Sequence, residues 1–337
     1  MTAISPRSAR RAGGRAAPPY ACAVQVTPST TTAYLGPAGT FTEEALLSQS
    51  DLATSRRAPY GTFAEVMRAV SDCRADLGVV ALENSIEGTV NVTLDQLIFD
   101  HDLWIVRELQ ISVAQCLVGV PGTDLDLVKR VLSMPVATAQ CRTWLSGHLP
   151  GAEAEPCAST ADAVRRVAEQ ADPKWVAIGT RHAAGLYGLE VLASGIEDHD
   201  ENRTRFAVVA RPEWGIPAAT GHDKTSIVCF QSSDHPGSLH MILGQFAARN
   251  LNLTKLESRP TKRALGEYCF VIDVDGHVAD EVVADCLRDL HATLPSVKFL
   301  GSYPAAGAQG ERRRQEASAA WAAADDWVRG LREHLAG

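Results

Sequence analysis

Apolar positions along the chain fall into short continuous runs separated by amphipathic stretches, the pattern of buried strands alternating with surface helices. The first run, Ala33-Tyr34-Leu35, feeds the turn Gly36-Pro37-Ala38-Gly39-Thr40. A helix is predicted to start near Thr42, where Glu43 and Glu44 suit its positive end. A helix around Thr62 to Arg74 comes next, then the run Leu77-Gly78-Val79-Val80-Ala81-Leu82, which reads as a buried strand. The polar turn Glu83-Asn84-Ser85-Ile86-Glu87-Gly88 leads into an amphipathic stretch from Val90 to Ile98. A second α/β unit begins near Leu103 to Val120 and continues through a helix at Ala139 to Leu145. Ser159-Thr160-Ala161-Asp162 caps a further helix, and later strands are expected at 176–179 and 206–210. This rhythm predicts parallel sheets in two α/β lobes over residues 33–212, with a ligand cleft between the lobes.

Between Pro212 and Asp223 the composition turns to Pro, Gly, Ala and Thr, which predicts a linker over 213–223. Residues 224–304 then parse as βαββαβ. Strands are expected at Thr225 to Phe230, Leu251 to Leu256, Tyr268 to Val274 and Val297 to Tyr303. Leu239, Ile242, Leu243 and Phe246 stripe one helix, and Val283, Leu287, Leu290 and Leu294 the other. This is a ferredoxin-like pattern. Residues 305–337 are expected to form a helical tail that Trp321 and Trp327 could dock. Residues 1–32 carry Arg7, Arg10, Arg11 and Arg15 without an acid or the apolar core of a secretory signal, and a disordered extension is expected there.

A content of 45% hydrophobic and 21% charged residues fits a soluble globular chain with ample core. The net charge of −8 argues against general nucleic-acid binding. No apolar run approaches the ~18 residues of a membrane span. The 8 cysteines show no CxxC and no Cys/His ligand spacing, so they are expected to be reduced packing residues of a cytoplasmic protein.

The candidate chemistry centres on Asn202-Arg203-Thr204-Arg205-Phe206, between the acidic run 197–201 and the apolar run 207–210. Thr204 is a hydroxyl at a strand edge flanked by two guanidinium groups, a field that suits an anionic ligand. A threonine chosen for β propensity, with its arginines facing water, has the same local pattern.

Five segments taken together resemble the prephenate dehydratases with a carboxy-terminal ACT domain. They are Gly36-Pro37-Ala38-Gly39-Thr40-Phe41-Thr42, Glu83-Asn84-Ser85-Ile86-Glu87-Gly88, Gln140-Cys141, Thr204-Arg205-Phe206 and Glu257-Ser258-Arg259-Pro260. The resemblance runs from about Ala33 to Tyr303. It implies a two-lobed, periplasmic-binding-protein-like catalytic domain followed by a ferredoxin-like ACT domain. It further implies conversion of prephenate to phenylpyruvate, carbon dioxide and water without metal or organic cofactor. A homodimer or homotetramer is expected, with L-phenylalanine as effector and neither nucleic acid nor membrane as partner. Residues 1–32 are too few for the fused chorismate mutase of some members, so a monofunctional chain is expected.

By the same resemblance Thr204 is the hydroxyl donor to the departing oxygen, Asn84 and Gln140 are active-site amides, and Ser133 and Ser85 active-site hydroxyls. Amides and hydroxyls hold carboxylates without a full counter-charge, so they do not over-stabilise the carboxylate that must leave. Asn84 and Ser85 read equally as a turn-and-cap pair. Arg205 either anchors the pyruvyl carboxylate or pairs with Glu201 or Asp198. Thr40 is either a carboxylate ligand at a helix start or a plain N-cap, and Glu83 is either structural or an orienting residue beside the substrate. Three positions depart from the family pattern: Met134 and Val136 follow Ser133 where His and Gln are usual, and Gln115 replaces a frequent His. In the ACT domain the effector is expected to meet Gly237, Ser238 and Leu239, then Asn252, then Glu257, Ser258, Arg259 and Pro260. Ser238 and His240 stand there where apolar residues are usual. Arogenate as substrate, or a catalytically silent amino-acid sensor, are the alternatives.

Overall fold

The computed structural model describes residues 25–199, 201–231, 235–262, 267–306 and 327–332. In chain order the first strands are β1 (Thr31–Leu35), β2 (Arg56–Tyr60), β3 (Leu77–Asn84), β4 (Gly88–Thr89) and β5 (Trp104–Ser112). The chain then builds a second sheet from β6 (Cys116–Gly119), β7 (Arg130–Ser133), β8 (Glu153–Pro156), β9 (Trp175–Gly179) and β10 (Glu190–Ser194). It returns to the first sheet as β11 (Arg203–Ala210), which inserts between β3 and β5. The lobe boundary therefore lies after β5, not near Leu103, because β5 pairs with β11 along its length.

The sheets are mixed rather than parallel. β1 runs parallel to β2 and β3, whereas β11 is antiparallel to both its neighbours. In the second sheet, ordered β10-β6-β9-β7-β8, β7 is parallel to β8 and β9 while β6 is antiparallel to β9 and β10. A strand that returns from the other lobe enters from the opposite end, so it runs opposite to the strands that the helical crossovers placed.

Helix starts follow the sequence signals closely. Thr62 caps Phe63–Ser71 in a full capping box with Glu65, and Ser159 caps Thr160–Gln170 by accepting from the Asp162 N–H. The expected helix at 139–145 is two pieces, Pro135–Gln140 and Arg142–His148, broken at Cys141. The described cysteines are free thiols, and all but Cys73 are buried.

The carboxy-terminal domain, expected to be of ACT type, comprises β12 (Asp223–Phe230), β13 (Leu253–Pro260), β14 (Tyr268–Asp275) and β15 (Ser296–Pro304), with helices Ser238–Ala247 and Glu281–Thr293. Its sheet is antiparallel with order β13-β14-β12-β15. One face buries Ile227, Cys229 and Ile272 under the two helices, against Ile242, Phe246, Cys286 and Leu290. The other face, through Val228, Val271, Leu300 and Tyr303, joins a core shared with Leu82, Leu97 and Ile105 of the first lobe. Burial on both faces explains why β12 and β14 read as nearly continuous apolar runs. The approach is tight at Gly301 (φ 144°), where a Cβ would stand 2.2 Å from the Ile105 carbonyl oxygen. Trp104 and Phe299 meet edge to face nearby, with ring centroids 5.4 Å apart.

No helix among the described residues is long and apolar enough to cross a membrane. The readings for residues 1–24 and for most of the carboxy-terminal tail lie outside the described residues. Of that tail, 327–332 is helical with Trp327 exposed.

Candidate active site

β3 ends where its apolar run meets the turn at 85–87, and the register of the pair places Thr204 of β11 directly opposite Asn84. Side chains alternate along a strand, so Thr204 and Asn84 share one face while Arg205 and its partner Glu83 share the other. The Asn84 carboxamide is oriented without ambiguity. Its Oδ1 accepts the backbone N–H groups of Ile86 and Glu87, both at 3.0 Å, so Nδ2 must point the other way. Nδ2 then donates to Thr204 Oγ1 at 2.9 Å and to Asn202 Oδ1 at 2.7 Å.

That donation decides what Thr204 can do. A hydroxyl has one proton and two lone pairs, and Asn84 occupies a lone pair. The proton has no acceptor among the described residues and remains for a ligand. A donor on the oxygen also polarises the O–H, which strengthens it as a donor in turn.

From the second lobe Gln140 arrives at the end of the helix Pro135–Gln140. Its Oε1 accepts from Asn202 Nδ2 at 3.3 Å, and its Nε2 lies 3.4 Å from Glu87 Oε1. Three neutral amides and one hydroxyl thus meet at the junction of the lobes, where the Thr204 O–H and the Gln140 Nε2 group are the donors not taken up within the chain of amides. Cys141, next to Gln140, is fully buried, and burial pushes its thiol up to about 12. It is a packing residue rather than a nucleophile.

Ser85 clasps the start of β11: its hydroxyl accepts from the Arg203 N–H at 2.9 Å, and its own N–H donates to the Arg203 carbonyl. It braces the start of β11 beside Thr204 and remains exposed. Thr40 is the N-cap of the helix Phe41–Leu47, with its hydroxyl donating to Leu35 O at 2.7 Å and accepting from Glu43 N at 3.3 Å. Of its two readings the geometry supports the cap. The turn before it is wedged against the second lobe. Gly39 (φ 94°) would put a Cβ 2.8 Å from that of Ala183, and its carbonyl accepts from Thr180 Oγ1 at 3.0 Å.

Three expected site residues lie elsewhere. Ser133 has no exposed surface, and its hydroxyl donates to Ile178 O at 3.2 Å within the second sheet. Arg205 reaches neither the cleft nor Glu201 nor Asp198. It turns to the ACT domain, where it pairs with Asp273 at 2.7 Å, with Glu108, and with the Tyr303 hydroxyl at 3.1 Å. Burial would raise the Asp273 carboxyl, but the Arg205 guanidinium and the Ser226 hydroxyl override it and hold the group below the usual carboxylate range. Glu83, on the same face as Arg205, meets Lys255 at 3.4 Å.

In the ACT domain β13 is an edge strand whose residues alternate between two surroundings. Lys255, Glu257 and Arg259 face the first lobe. Glu257 accepts from Thr89 Oγ1 at 2.7 Å, and Arg259 donates to Asn91 and Asp95, each at 2.6 Å. Ser258 and Pro260 are exposed on the opposite face. Gly237 (φ 90°) opens the helix Ser238–Ala247 and has open space where a Cβ would stand. Ser238 is buried, Leu239 packs on the ACT core, and Asn252 donates to Asp275 at 2.8 Å. The expected effector residues thus divide among an open face, the first lobe and the domain's own core.

Asn202, at the meeting point of the two lobes, is a residue that sequence reasoning passed over. It is 1% exposed and joins the amides of both lobes. The signal was its position at the entry to β11, two residues before Thr204.

A family model described as prephenate dehydratase matches residues 32–213, and one described as ACT domain matches residues 225–292. Prephenate dehydratases from Mycobacterium tuberculosis and Mycobacterium leprae are 41% and 42% identical over 288 and 287 residues, covering 82% of this chain and 88% of each relative. A crystal structure of a prephenate dehydratase from Arthrobacter aurescens in complex with L-Phe is 41% identical with a TM-score of 0.78, covering 90% of this chain and 100% of that one. GqqA, described as a novel type of quorum-quenching acylase, is 31% identical with a TM-score of 0.73, covering 82% of this chain and 98% of that one.

Proposed function

The chain belongs to the prephenate dehydratase family, and on that premise we propose that Thr204, Asn84 and Gln140 form the site at which prephenate becomes phenylpyruvate. Prephenate is a dianion with a ring carboxylate, a pyruvyl carboxylate and a C4 hydroxyl. The bond from C1 to the ring carboxylate breaks, and its electron pair moves through the ring. The C4–O bond breaks in turn, which gives phenylpyruvate, carbon dioxide and hydroxide, and a proton converts the hydroxide to water. Aromatisation drives the reaction, so the protein has to hold the dianion and stabilise the charge that grows on the leaving oxygen.

The observation that carries this reading is the polarity of the amide chain. Starting from the backbone N–H groups of Ile86 and Glu87, every carbonyl oxygen in it is occupied, and the Thr204 hydroxyl is left as a donor. Gln140 Nε2 offers a second donor without a formal charge, which suits a carboxylate that must depart. An acylase reading finds no support in the cleft. Among its described residues no serine or cysteine is hydrogen-bonded to a histidine, and the Cys141 thiol is held protonated.

The relative with bound L-Phe supports phenylalanine as the effector of the ACT domain here. β13 offers a route for its action. The outward face is open to a ligand or a second copy of the chain in a homodimer or homotetramer. The inward face grips Thr89 of β4, which pairs with Glu83 and Asn84 at the end of β3. A coupling of about 1–3 kcal/mol would suffice for feedback control.

A turnover assay tests the proposal. Purified chain with prephenate is expected to release phenylpyruvate, seen by its aromatic absorbance, with carbon dioxide in equal amount and a lower rate when L-phenylalanine is added. Absence of an aromatic product, or faster turnover of arogenate in a parallel assay, would reject it.

A further inference from the structure

We propose that Asn202 is a positioning residue for this reaction: from the hinge between the lobes it sets which end of the Gln140 carboxamide faces the substrate. The inference rests on the reading of the site given above. Asn202 lies in the segment that returns from β10 to β11, and its carbonyl accepts from the N–H of Val113 at 2.8 Å in the outgoing segment between β5 and β6. The two crossings are therefore tied side by side at this residue. Its side chain then spans the lobes, accepting from Asn84 Nδ2 at 2.7 Å and donating to Gln140 Oε1 at 3.3 Å.

A chain of amides has no polarity of its own, since each carboxamide can turn over. Here the 85–87 turn breaks the symmetry by fixing Asn84 Oδ1 on two backbone donors. Turning Asn202 over would set its NH2 against that of Asn84 at hydrogen-bond distance, donor against donor. Asn202 must therefore present oxygen to Asn84 and nitrogen to Gln140. Gln140 must in turn present oxygen to Asn202, which sends its own NH2 towards the cleft. Among the described residues the other contact favouring this orientation is the long one to Glu87, at 3.4 Å. Without Asn202, Gln140 is free to show its carbonyl oxygen to a dianion.

The test compares prephenate turnover by the parent, Asn202→Ala and Asn202→Asp from pH 5 to pH 8. Loss of alignment predicts a fall in kcat of about 10²-fold for Asn202→Ala. In Asn202→Asp the ionised carboxylate can only accept, so it keeps Asn84 but draws Gln140 Nε2 inwards. Once protonated, it accepts from Asn84 with one oxygen and donates its O–H to Gln140 with the other, which restores the original polarity. Glu87, Glu197, Asp198 and Glu201 lie around this point and raise the affinity of the new carboxyl for a proton, against Arg203 and with the neutral Cys141 thiol. The kcat deficit relative to the parent is expected to shrink from about 100-fold at pH 8 to below about 10-fold at pH 5. A residue that merely supports the fold would not gain activity on acidification, and recovery in one sample shows that the variant is folded. An active parent with a pH-invariant variant-to-parent ratio, or with Asn202→Ala within about threefold in kcat, overturns the role of Asn202 alone. A parent without turnover overturns both this inference and the site reading.

Discussion

Thr204→Ala is expected to lower kcat for prephenate by about 10²–10³-fold, with KM changed by less than about threefold and the unfolding midpoint unaltered. The substitution removes the one O–H that the site directs at a ligand. It leaves Asn84 with the bond to Asn202 and the acceptor bonds to Ile86 and Glu87. The fold has little to lose, because Thr204 Oγ1 makes one hydrogen bond and a neighbouring acceptor for Asn84 Nδ2 remains in Arg203 O at 3.3 Å. The effect belongs in kcat because the leaving oxygen is neutral in bound prephenate and charged in the transition state. Thr204→Ala with kcat within about threefold of the parent would remove the hydroxyl from the mechanism.

Arg205→Ala, one residue along, is expected to act on stability: about 3–5 kcal/mol is lost when one partner of a buried ion pair is removed. The side chain is 15% exposed, and its partners Glu108 and Asp273 are 2% and 4% exposed. Lys224 still neutralises Glu108 at 3.0 Å, so Asp273 is the group that loses its ion-pair partner and keeps only the Ser226 hydroxyl and the field of Lys224. The pH dependence then changes sign between the two proteins. In the parent the Asp273 pKa is depressed, so its contribution is present above the unfolded carboxylate value and lost as pH falls through the folded one. In the variant the largest opposing charge is gone, and burial then outweighs the Ser226 hydroxyl and the Lys224 ammonium that remain, so that pKa rises and stability falls as pH rises. Urea unfolding at pH 7 and pH 5 is expected to show a parent–variant gap that narrows at pH 5. An anchor for the pyruvyl carboxylate would behave otherwise, raising KM with the unfolding midpoint unchanged.

These two neighbours show where reading by residue type succeeds and where it stops. Alternation on β11 puts Thr204 and Arg205 on opposite faces, and that is legible in the chain. Which face meets the cleft and which meets the ACT domain depends on β11 inserting between β3 and β5, pairings between residues far apart in the chain. The ACT pattern was legible because its two helices each carry an apolar stripe and its central strands are nearly continuous apolar runs. The parallel rhythm of the first lobe was legible for β1 to β3 but hid the antiparallel return. Ser133 stood in a motif position, yet it ends a strand whose neighbours enclose it completely. Asn202 was missed because a buried asparagine beside a threonine looks like an ordinary loop residue until Gln140 arrives from the other lobe.

The central claim is that the Thr204 hydroxyl donates to the oxygen that leaves. The crystal structure of the protein with a prephenate analogue reduced in the ring, so that it cannot aromatise, tests it most directly. The account predicts the C4 hydroxyl oxygen about 2.6–3.2 Å from Thr204 Oγ1, with a carboxylate against Gln140 Nε2. A carboxylate at Thr204, with the C4 hydroxyl turned to solvent, would contradict it.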